Sequence, residues 1–473
     1  MSFKKGLFKN ILIAGGYAYL SQAISFLSTI VLSRILTPNS YGLVNLITVF
    51  TGFILVFSDG GLSYALIRSD FGETYNRVLT NLSWLLGFSL FIITTLVGYP
   101  ISLFYHNSSL ILPTMALGTT FLIKGLSLTQ GAVLAKQLNF AYIGKVTLIS
   151  VIITVALTII LAYCGLDYWS LIIPQIVAAI VIAIMYERKV KLGFKIYHLN
   201  YILVVYRHTK KLIGSVIGFN TINYWARNTD NMIVGKWYGT SSLGIYNRAY
   251  NLLMLPLTLI SGLFSNILFP SLKKLKQQGG NIEEEYYFVL RVITILTFPI
   301  VVILITFPNQ LVLLLWGNKW KEVAIFLPYF GLLIFTQTLL STVGQLLILD
   351  EKESEFMISG WVGSAFLVAG IIIGALISLI GVAQFYSLSY IFVLIFNIIF
   401  LYIRTLKFNV RTTLGFWIPK IAFSFVLWIA IFFKMELLKM ASVVLICIYI
   451  IFVSRKEIKL ILSKASLIIR LKS

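Results

Sequence analysis

Several charged side chains lie inside long apolar stretches of the chain, where a lipid bilayer makes a charge costly. A charge at the centre of a bilayer costs about 2.5–3.5 kcal/mol, so each such group is by default a candidate functional residue. The cations in these stretches that bear on function are Lys124, Arg227 and Arg248, and the carboxylates are Asp59 and Asp230.

Lys124 lies near the middle of the apolar stretch 110–135, where its long side chain cannot easily reach the membrane surface. Thr120, Lys124, Ser127 and Gln130 succeed one another at spacings of four, three and three residues, which places them along one side of a helix. The pattern predicts a polar stripe that lines a cavity. The alternative is that Lys124 forms a structural ion pair with a carboxylate of another span.

The other embedded charges allow two interpretations each. Asp59 precedes a diglycine and allows a functional and a structural interpretation. It is either a proton or sodium site or the counter-ion of a cation, or it is a polar group that takes part in helix packing. Arg227 and Asp230 are three residues apart on one helix face, and Arg248 follows on the next predicted span. These three either form a local ionic network or leave one arginine to bind phosphate through its planar fork.

Lys420 and the three histidines give weaker evidence for a functional role. Lys420 lies about two turns from a predicted span end, so we expect its amine to reach the membrane surface. The three histidines show no metal-ligand spacing, and the sequence predicts neither a metal nor a cofactor.

The composition defines the class of protein that must position these groups. Of 473 residues, 59% are hydrophobic and 11% are charged, and the mean hydropathy is +0.93, which excludes a soluble or a disordered protein. The net charge of +22 fits the basic cytoplasmic loops of a membrane protein better than a nucleic-acid partner. Because the apolar runs exceed the length of barrel strands, we predict an all-α integral membrane protein.

Fourteen apolar segments predict fourteen transmembrane helices. With both termini in the cytoplasm, the inner loops hold 28 Lys and Arg residues and the outer loops hold six, as the positive-inside rule requires. The predicted spans are 11–35, 41–66, 80–104, 110–135, 142–164, 168–186, 211–235, 243–268, 288–308, 322–348, 356–379, 382–403, 413–433 and 437–454.

An internal repeat relates residues that are 202 positions apart. The stretch 31–45 lies over 233–247, with identical residues at Ser40 and Ser242, Gly42 and Gly244, and Asn45 and Asn247. The offset also relates Gly16 to Gly218 and Gly60 to Gly262. Six predicted spans separate the copies, so both halves have the same orientation in the membrane.

This repeat predicts a parallel 6+6 architecture of two six-helix lobes, to which two C-terminal helices are added. The predicted domains are an N-lobe over 1–186, a basic cytoplasmic linker over 187–210, a C-lobe over 211–403, spans 13 and 14 over 404–454, and a basic cytoplasmic tail over 455–473. Two such lobes are typical of transporters that work by alternating access. The short loops leave no room for a catalytic domain, so we predict that the chain is not an enzyme and disfavour a glycosyltransferase or a polymerase. Lys124 at mid-bilayer disfavours a membrane scaffold that transports nothing.

The repeat regions resemble a known family. The segments Leu32–Leu43 (LSRILTPNSYGL), Asp59–Arg68 (DGGLSYALIR), Asn228–Gly235 (NTDNMIVG) and Leu243–Tyr250 (LGIYNRAY) are similar to the Wzx/colanic-acid type of bacterial polysaccharide transporter. This type belongs to the multidrug/oligosaccharidyl-lipid/polysaccharide exporter superfamily. The resemblance covers essentially the whole chain.

The resemblance implies a flippase of the bacterial cytoplasmic membrane. Such proteins move undecaprenyl-pyrophosphate-linked oligosaccharide repeat units from the inner to the outer leaflet, for O-antigen, capsule or exopolysaccharide biosynthesis. Lys124, Arg227 and Arg248 would then serve as cavity cations for the pyrophosphate, and Asp59 and Asp230 occupy family-motif positions for ion coupling or counter-charge. The implied partners are the lipid-linked oligosaccharide, membrane lipids, and the polysaccharide polymerase and chain-length machinery. The alternative is a cation-coupled multidrug or small-molecule exporter of the same fold.

Overall fold

Long apolar runs that must satisfy their own backbone hydrogen bonds in lipid fold as helices. The computed structural model describes residues 3–59, 62–63, 66, 72–193, 195–455 and 457; within these ranges, the side chains of 3–12, 73, 199–200, 202–220, 222–223, 226, 261–267, 269–270 and 353 are not described. All regular structure in the described ranges is helical.

The helices of the amino-terminal half are long and joined by short turns. They are α1 (Phe3–Ile35), α2 (Pro38–Asp59), α3 (Glu73–Tyr105), α4 (Ile111–Lys136), α5 (Phe140–Tyr163), α6 (Trp169–Val190) and α7 (Leu199–Gln277), with a short 3₁₀ helix at Ser108–Leu110. Helix α7 is interrupted at Gly239, whose φ of 82° and ψ of 179° are not helical. Gly239 lies 202 residues after Thr37, which stands in the turn between α1 and α2.

The carboxy-terminal half contains more breaks. Its helices are α8 (Ile282–Thr306), α9 (Pro308–Leu315), α10 (Leu327–Leu340), α11 (Val343–Leu349), α12 (Glu353–Ile377), α13 (Leu379–Asn397), α14 (Val410–Phe432) and α15 (Glu436–Val453), with a 3₁₀ helix at Asn318–Ile325 and a π-helix at Ile398–Thr405.

Twelve helical segments in the described part of the chain are long and apolar enough to cross a membrane. They coincide with twelve of the predicted spans and confirm an all-α membrane protein. The other two predicted spans, 211–235 and 243–268, fall on α7 and include side chains outside the described set. The total of fourteen therefore stays a prediction.

The chain divides into two compact units, Met1–Gly244 and Ile245–Ser473. In the first unit, α3 packs along α4, α1 along α5, and α6 against both α4 and α5. In the second unit, α8 packs on α10, α12 on α13, and α14 on α15. The division falls within α7, later in the chain than the predicted linker over 187–210, and the predicted lobe boundaries stay a prediction.

Two glycines of the internal repeat make equivalent close contacts in the first unit. A methyl group on Gly42 would overlap the backbone carbonyl of Thr240, and one on Gly244 would overlap that of Pro38. Pro38 and Thr240 are themselves 202 residues apart, so each copy of the motif contacts the other in the same way. Thr240 Oγ1 also donates a hydrogen bond to Asn39 Oδ1.

Candidate functional site

The predicted polar stripe on α4 is divided between buried and exposed positions. Thr120 and Ser127 are buried, and their hydroxyls donate to the carbonyls of Leu117 (2.6 Å) and Lys124 (3.2 Å) in their own helix. Gln130 is also buried and donates from Nε2 to Glu187 Oε2 at 2.9 Å. These three hydroxyl and amide groups are thus bonded inside the first unit.

Lys124 differs from the other three members of the stripe because its side chain is exposed. The next residue, Gly125, fits closely against α3, where a methyl group would lie 2.8 Å from Ser83 O. This contact holds α4 on α3 and leaves Lys124 at the surface of the unit. Within the described ranges, no carboxylate lies within 4 Å of its Nζ, so the alternative of a structural ion pair has no partner among those residues.

Asp59 ends α2 and is half-buried. Its Oδ1 accepts a hydrogen bond from the backbone N–H of Ser63 at 3.0 Å, so the carboxylate already has a partner in the backbone four residues later. This bond agrees with a structural role and leaves the ion-coupling hypothesis untested.

Arg227 and Asp230 lie in different environments although they are three residues apart. Arg227 is exposed, whereas Asp230 is 2% exposed and accepts a hydrogen bond at Oδ1 from the N–H of Asn231 at 2.7 Å. The described ion pairs include none between them. The structure therefore places Arg227, like Lys124, at the surface of the first unit.

Four half-buried aromatic rings of α2 and α7 form what we call the aromatic surface: Phe50, Phe53, Tyr224 and Trp225. Tyr224 and Trp225 precede Arg227 in the chain by three and two residues. The ring centroids of Phe53 and Trp225 are 5.0 Å apart, and Phe50 lies 6.4 Å from Trp225. Tyr224 donates its hydroxyl to the carbonyl of Val49 at 2.5 Å, which ties α7 to α2. Sequence analysis missed this surface because helix spacing alone does not show which aromatic residues of α2 and α7 meet.

Arg248, in the second unit, is 5% exposed. Its guanidinium carbon lies 4.7 Å from the ring centroid of Trp320 and 5.5 Å from that of Trp316. Both tryptophans are buried, so the cation–π attraction operates in a desolvated setting, where it is strong.

The structure contradicts the expectation that Lys420 reaches the membrane surface. Its side chain is 2% exposed, and Nζ donates to the carbonyl of Phe416 at 2.9 Å and lies 3.5 Å from the centroid of that ring. Tyr449 of α15 covers the same region, 5.7 Å from Nζ to its ring centroid. Helix α15 therefore packs beside the amine, which stays buried instead of reaching the membrane surface.

The burial of Glu457 was also not predicted. Glu457, which follows α15, is 4% exposed and accepts a hydrogen bond from Arg291 Nε of α8 at 2.5 Å. Sequence analysis placed Glu457 within the basic cytoplasmic tail, most of which (458–473) lies outside the described residues. The acidic character of Glu457 among lysines and arginines was the only signal for this ion pair.

These helices and units form the fold of a known superfamily of membrane transporters. Structural comparison finds Lipid II flippase MurJ in an inward closed conformation, with a TM-score of 0.69, 15% identity, and coverage of 94% of this chain and 100% of that one. An inward-facing multidrug resistance MATE family transporter of the MOP superfamily matches with a TM-score of 0.62 and 13% identity, over 82% and 95% of the two chains. At these identities the likeness shows the fold alone.

The sequence identifies the family. Residues 31–325 match the family described as polysaccharide biosynthesis protein, and the chain belongs to it. Similar curated proteins include lipopolysaccharide biosynthesis protein WzxC of Escherichia coli K12, 24% identical over 80% of this chain and 76% of that protein. Teichuronic acid biosynthesis protein TuaB of Bacillus subtilis is 23% identical over 72% and 70% of the two chains.

The chain is therefore a multi-pass membrane protein of a Wzx-like flippase family, with bacterial relatives and a fold shared with MurJ and MATE transporters. Its family is one of polysaccharide biosynthesis proteins, and it is a transporter, not an enzyme. The resemblance that the sequence motifs indicated is confirmed. The roles of the individual site residues stay predictions.

Proposed function

We propose that this protein moves undecaprenyl-pyrophosphate-linked oligosaccharide repeat units from the inner to the outer leaflet of the bacterial cytoplasmic membrane. It does so by alternating access between six-helix lobes at 1–186 and 211–403, with the helices over 404–454 beside them and both termini in the cytoplasm. The observation that carries this proposal is the exposed side chain of Lys124, in the middle of a membrane-spanning helix and without a described carboxylate partner.

A pyrophosphate carries charge that the low-dielectric core of a membrane does not solvate, so it crosses only beside compensating cations. Lys124 and Arg227 are the exposed embedded cations available for direct contact. Arg248 completes the proposed set; because it is buried between Trp316 and Trp320, we expect it to act through its electrostatic field.

Apolar faces of sugar rings pack well on aromatic side chains, which offer a large flat surface with few rotatable bonds. We assign the saccharide to the aromatic surface, whose Trp225 lies two residues before Arg227 in the chain. The buried polar groups Thr120, Ser127 and Gln130 then support α4 rather than contact the substrate. Asp59 and Asp230 are proposed to provide ion coupling or counter-charge.

Export in a bacterial host whose own flippase gene is deleted tests the proposal. The wild type, Lys124→Gln, Arg227→Gln and the control Lys321→Gln, an exposed cation outside the described membrane spans, are compared at equal membrane abundance. The wild type and the control should restore surface polysaccharide, whereas the two site variants should leave lipid-linked repeats in the inner leaflet.

Two results distinguish the alternatives. Full export by both site variants would refute the cation site while leaving the flippase assignment standing. If the wild type restores no glycan but confers resistance to cationic dyes, the alternative of a multidrug exporter of the same fold replaces the proposal. Co-purification with the polysaccharide polymerase of the same host would test the proposed partner.

A further inference from the structure

The connection after α6 is anchored to the first unit instead of lying free. Its Leu192 is 5% exposed and is buried in a cluster of apolar residues contributed by the region after α2 and by α3 and α4. Tyr197 packs against the same cluster. The other buried members of the cluster are Leu62, Leu66, Val78, Leu79, Ala132 and Val133.

Hydrogen bonds fix the same segment at both ends. The buried side chain of Asn81 donates from Nδ2 to Lys195 O at 2.7 Å and accepts at Oδ1 from Tyr197 N–H at 3.0 Å. Glu187 accepts at Oε1 from Gly193 N–H at 2.8 Å, and its other oxygen accepts from Gln130. We call the described residues of 187–197 the docked linker.

The docked linker presents four exposed cations: Arg188, Lys189, Lys191 and Lys195. Glu187 is its single carboxylate, and both oxygens of that carboxylate already accept hydrogen bonds. Among the described residues no carboxylate lies within 4 Å of these four cations. Four like charges on a fixed backbone repel one another unless anions from outside the chain approach them.

The position of these four cations relative to the membrane indicates which anions can approach them. Helix α6 is a candidate membrane span that ends at Val190, so the docked linker comprises its last turn and the first residues after the span. The phosphates of lipid headgroups lie at that depth, and anionic lipids attract lysine and arginine near the surface. A surface that is already held in place also loses less conformational entropy on binding than a free loop does.

We propose that the docked linker is a binding surface for the phosphate headgroups of anionic phospholipids in the leaflet that flanks the end of α6. The proposal stands independently of the transported substrate. It differs from the general excess of positive charge in cytoplasmic loops because it depends on Asn81 and Leu192, which fix the backbone that carries the charge.

The test measures retention of phosphatidylglycerol by the purified full-length protein in nanodiscs that contain neutral lipid with a titrated fraction of phosphatidylglycerol. The triple variant Lys189→Gln/Lys191→Gln/Lys195→Gln should bind it about fivefold more weakly for each cation removed. The control triple variant Lys319→Gln/Lys321→Gln/Lys434→Gln removes the same number of exposed charges elsewhere and should bind like the wild type.

Asn81→Ala separates the docking from the charge, since it keeps all four cations and removes both side-chain bonds to the linker. Hydrogen exchange at 191–198 should accelerate in this variant, and retention of phosphatidylglycerol should fall. Equal retention by the two triple variants would overturn the proposal, as would unchanged retention by Asn81→Ala with faster exchange. Selective retention of undecaprenyl diphosphate, without phosphatidylglycerol, would overturn the assignment to phospholipid.

Discussion

Replacing Gly42 or Gly244 with alanine should destabilise the first unit through the reciprocal contact of the repeat. A Cβ on Gly42 would lie 2.5 Å from the carbonyl carbon of Thr240 and 3.1 Å from its Cα, and one on Gly244 would lie 2.8 Å from the carbonyl carbon of Pro38. These neighbours are backbone atoms, so no side chain can rotate to make room.

Overpacking costs about 1–3 kcal/mol, and we expect the upper end of that range because the backbones must separate. For a unit of this size, about 3 kcal/mol corresponds to a fall of roughly 6–12 °C in the unfolding temperature. Since the two substitutions strain one shared contact, their effects should not add, and the double variant should lose less than the sum.

The matched control is Gly16→Ala, at another glycine related by the 202-residue offset. Nothing lies within 4 Å of its added methyl group, and alanine favours the helix by up to about 1 kcal/mol. Thermal unfolding of the purified variants in detergent measures the difference. If Gly42→Ala unfolds at the same temperature as Gly16→Ala, the reasoning from the close backbone approach is refuted.

Three further experiments test the buried charges of the second unit. Trp320→Leu should destabilise the protein by about 1–2 kcal/mol more than Trp320→Phe, because only the latter keeps a ring beside Arg248; equal losses in chemical unfolding would exclude a cation–π contribution. Arg291→Gln should lower the free energy of unfolding by about 1–3 kcal/mol, since Glu457 is left buried without its cation. Adding Glu457→Gln to this variant should recover most of that loss, whereas strict additivity of the two single effects in the double-mutant cycle would argue against the ion pair. Lys420→Met should raise the unfolding temperature because an apolar side chain of similar length replaces a buried ammonium, and a lower temperature would contradict that account.

The positions of the membrane helices could be predicted because lipid leaves few structures open to a long apolar run. The segment predicted at 142–164 is α5 (Phe140–Tyr163), and the segment predicted at 413–433 is α14 (Val410–Phe432). Breaks inside apolar runs could not be predicted. The segment predicted at 322–348 is divided among a 3₁₀ helix, α10 and α11, since hydropathy does not report where the backbone changes its hydrogen-bond pattern.

The embedded charges were visible in the sequence, but their surroundings were not. Helical spacing grouped Thr120 with Lys124, yet one is buried against neighbouring helices and the other is exposed. Depth along the span suggested that Lys420 reaches water, but α15 covers it. Residue spacing shows which residues share one side of a helix. Which other helix covers that side depends on contacts between residues that are distant in the chain.

The reciprocal glycine contact also bears on the origin of the chain. An interface in which residue i of one copy contacts residue j of the other, and j contacts i, is isologous and is the form that a two-fold symmetric homodimer takes. Gly42 on Thr240 and Gly244 on Pro38 satisfy this condition at one offset. Two identical half-length chains, each with a glycine four residues after the helix start, would make both contacts at once. Gene fusion of such a dimer would preserve the contact and free each glycine motif to diverge around it.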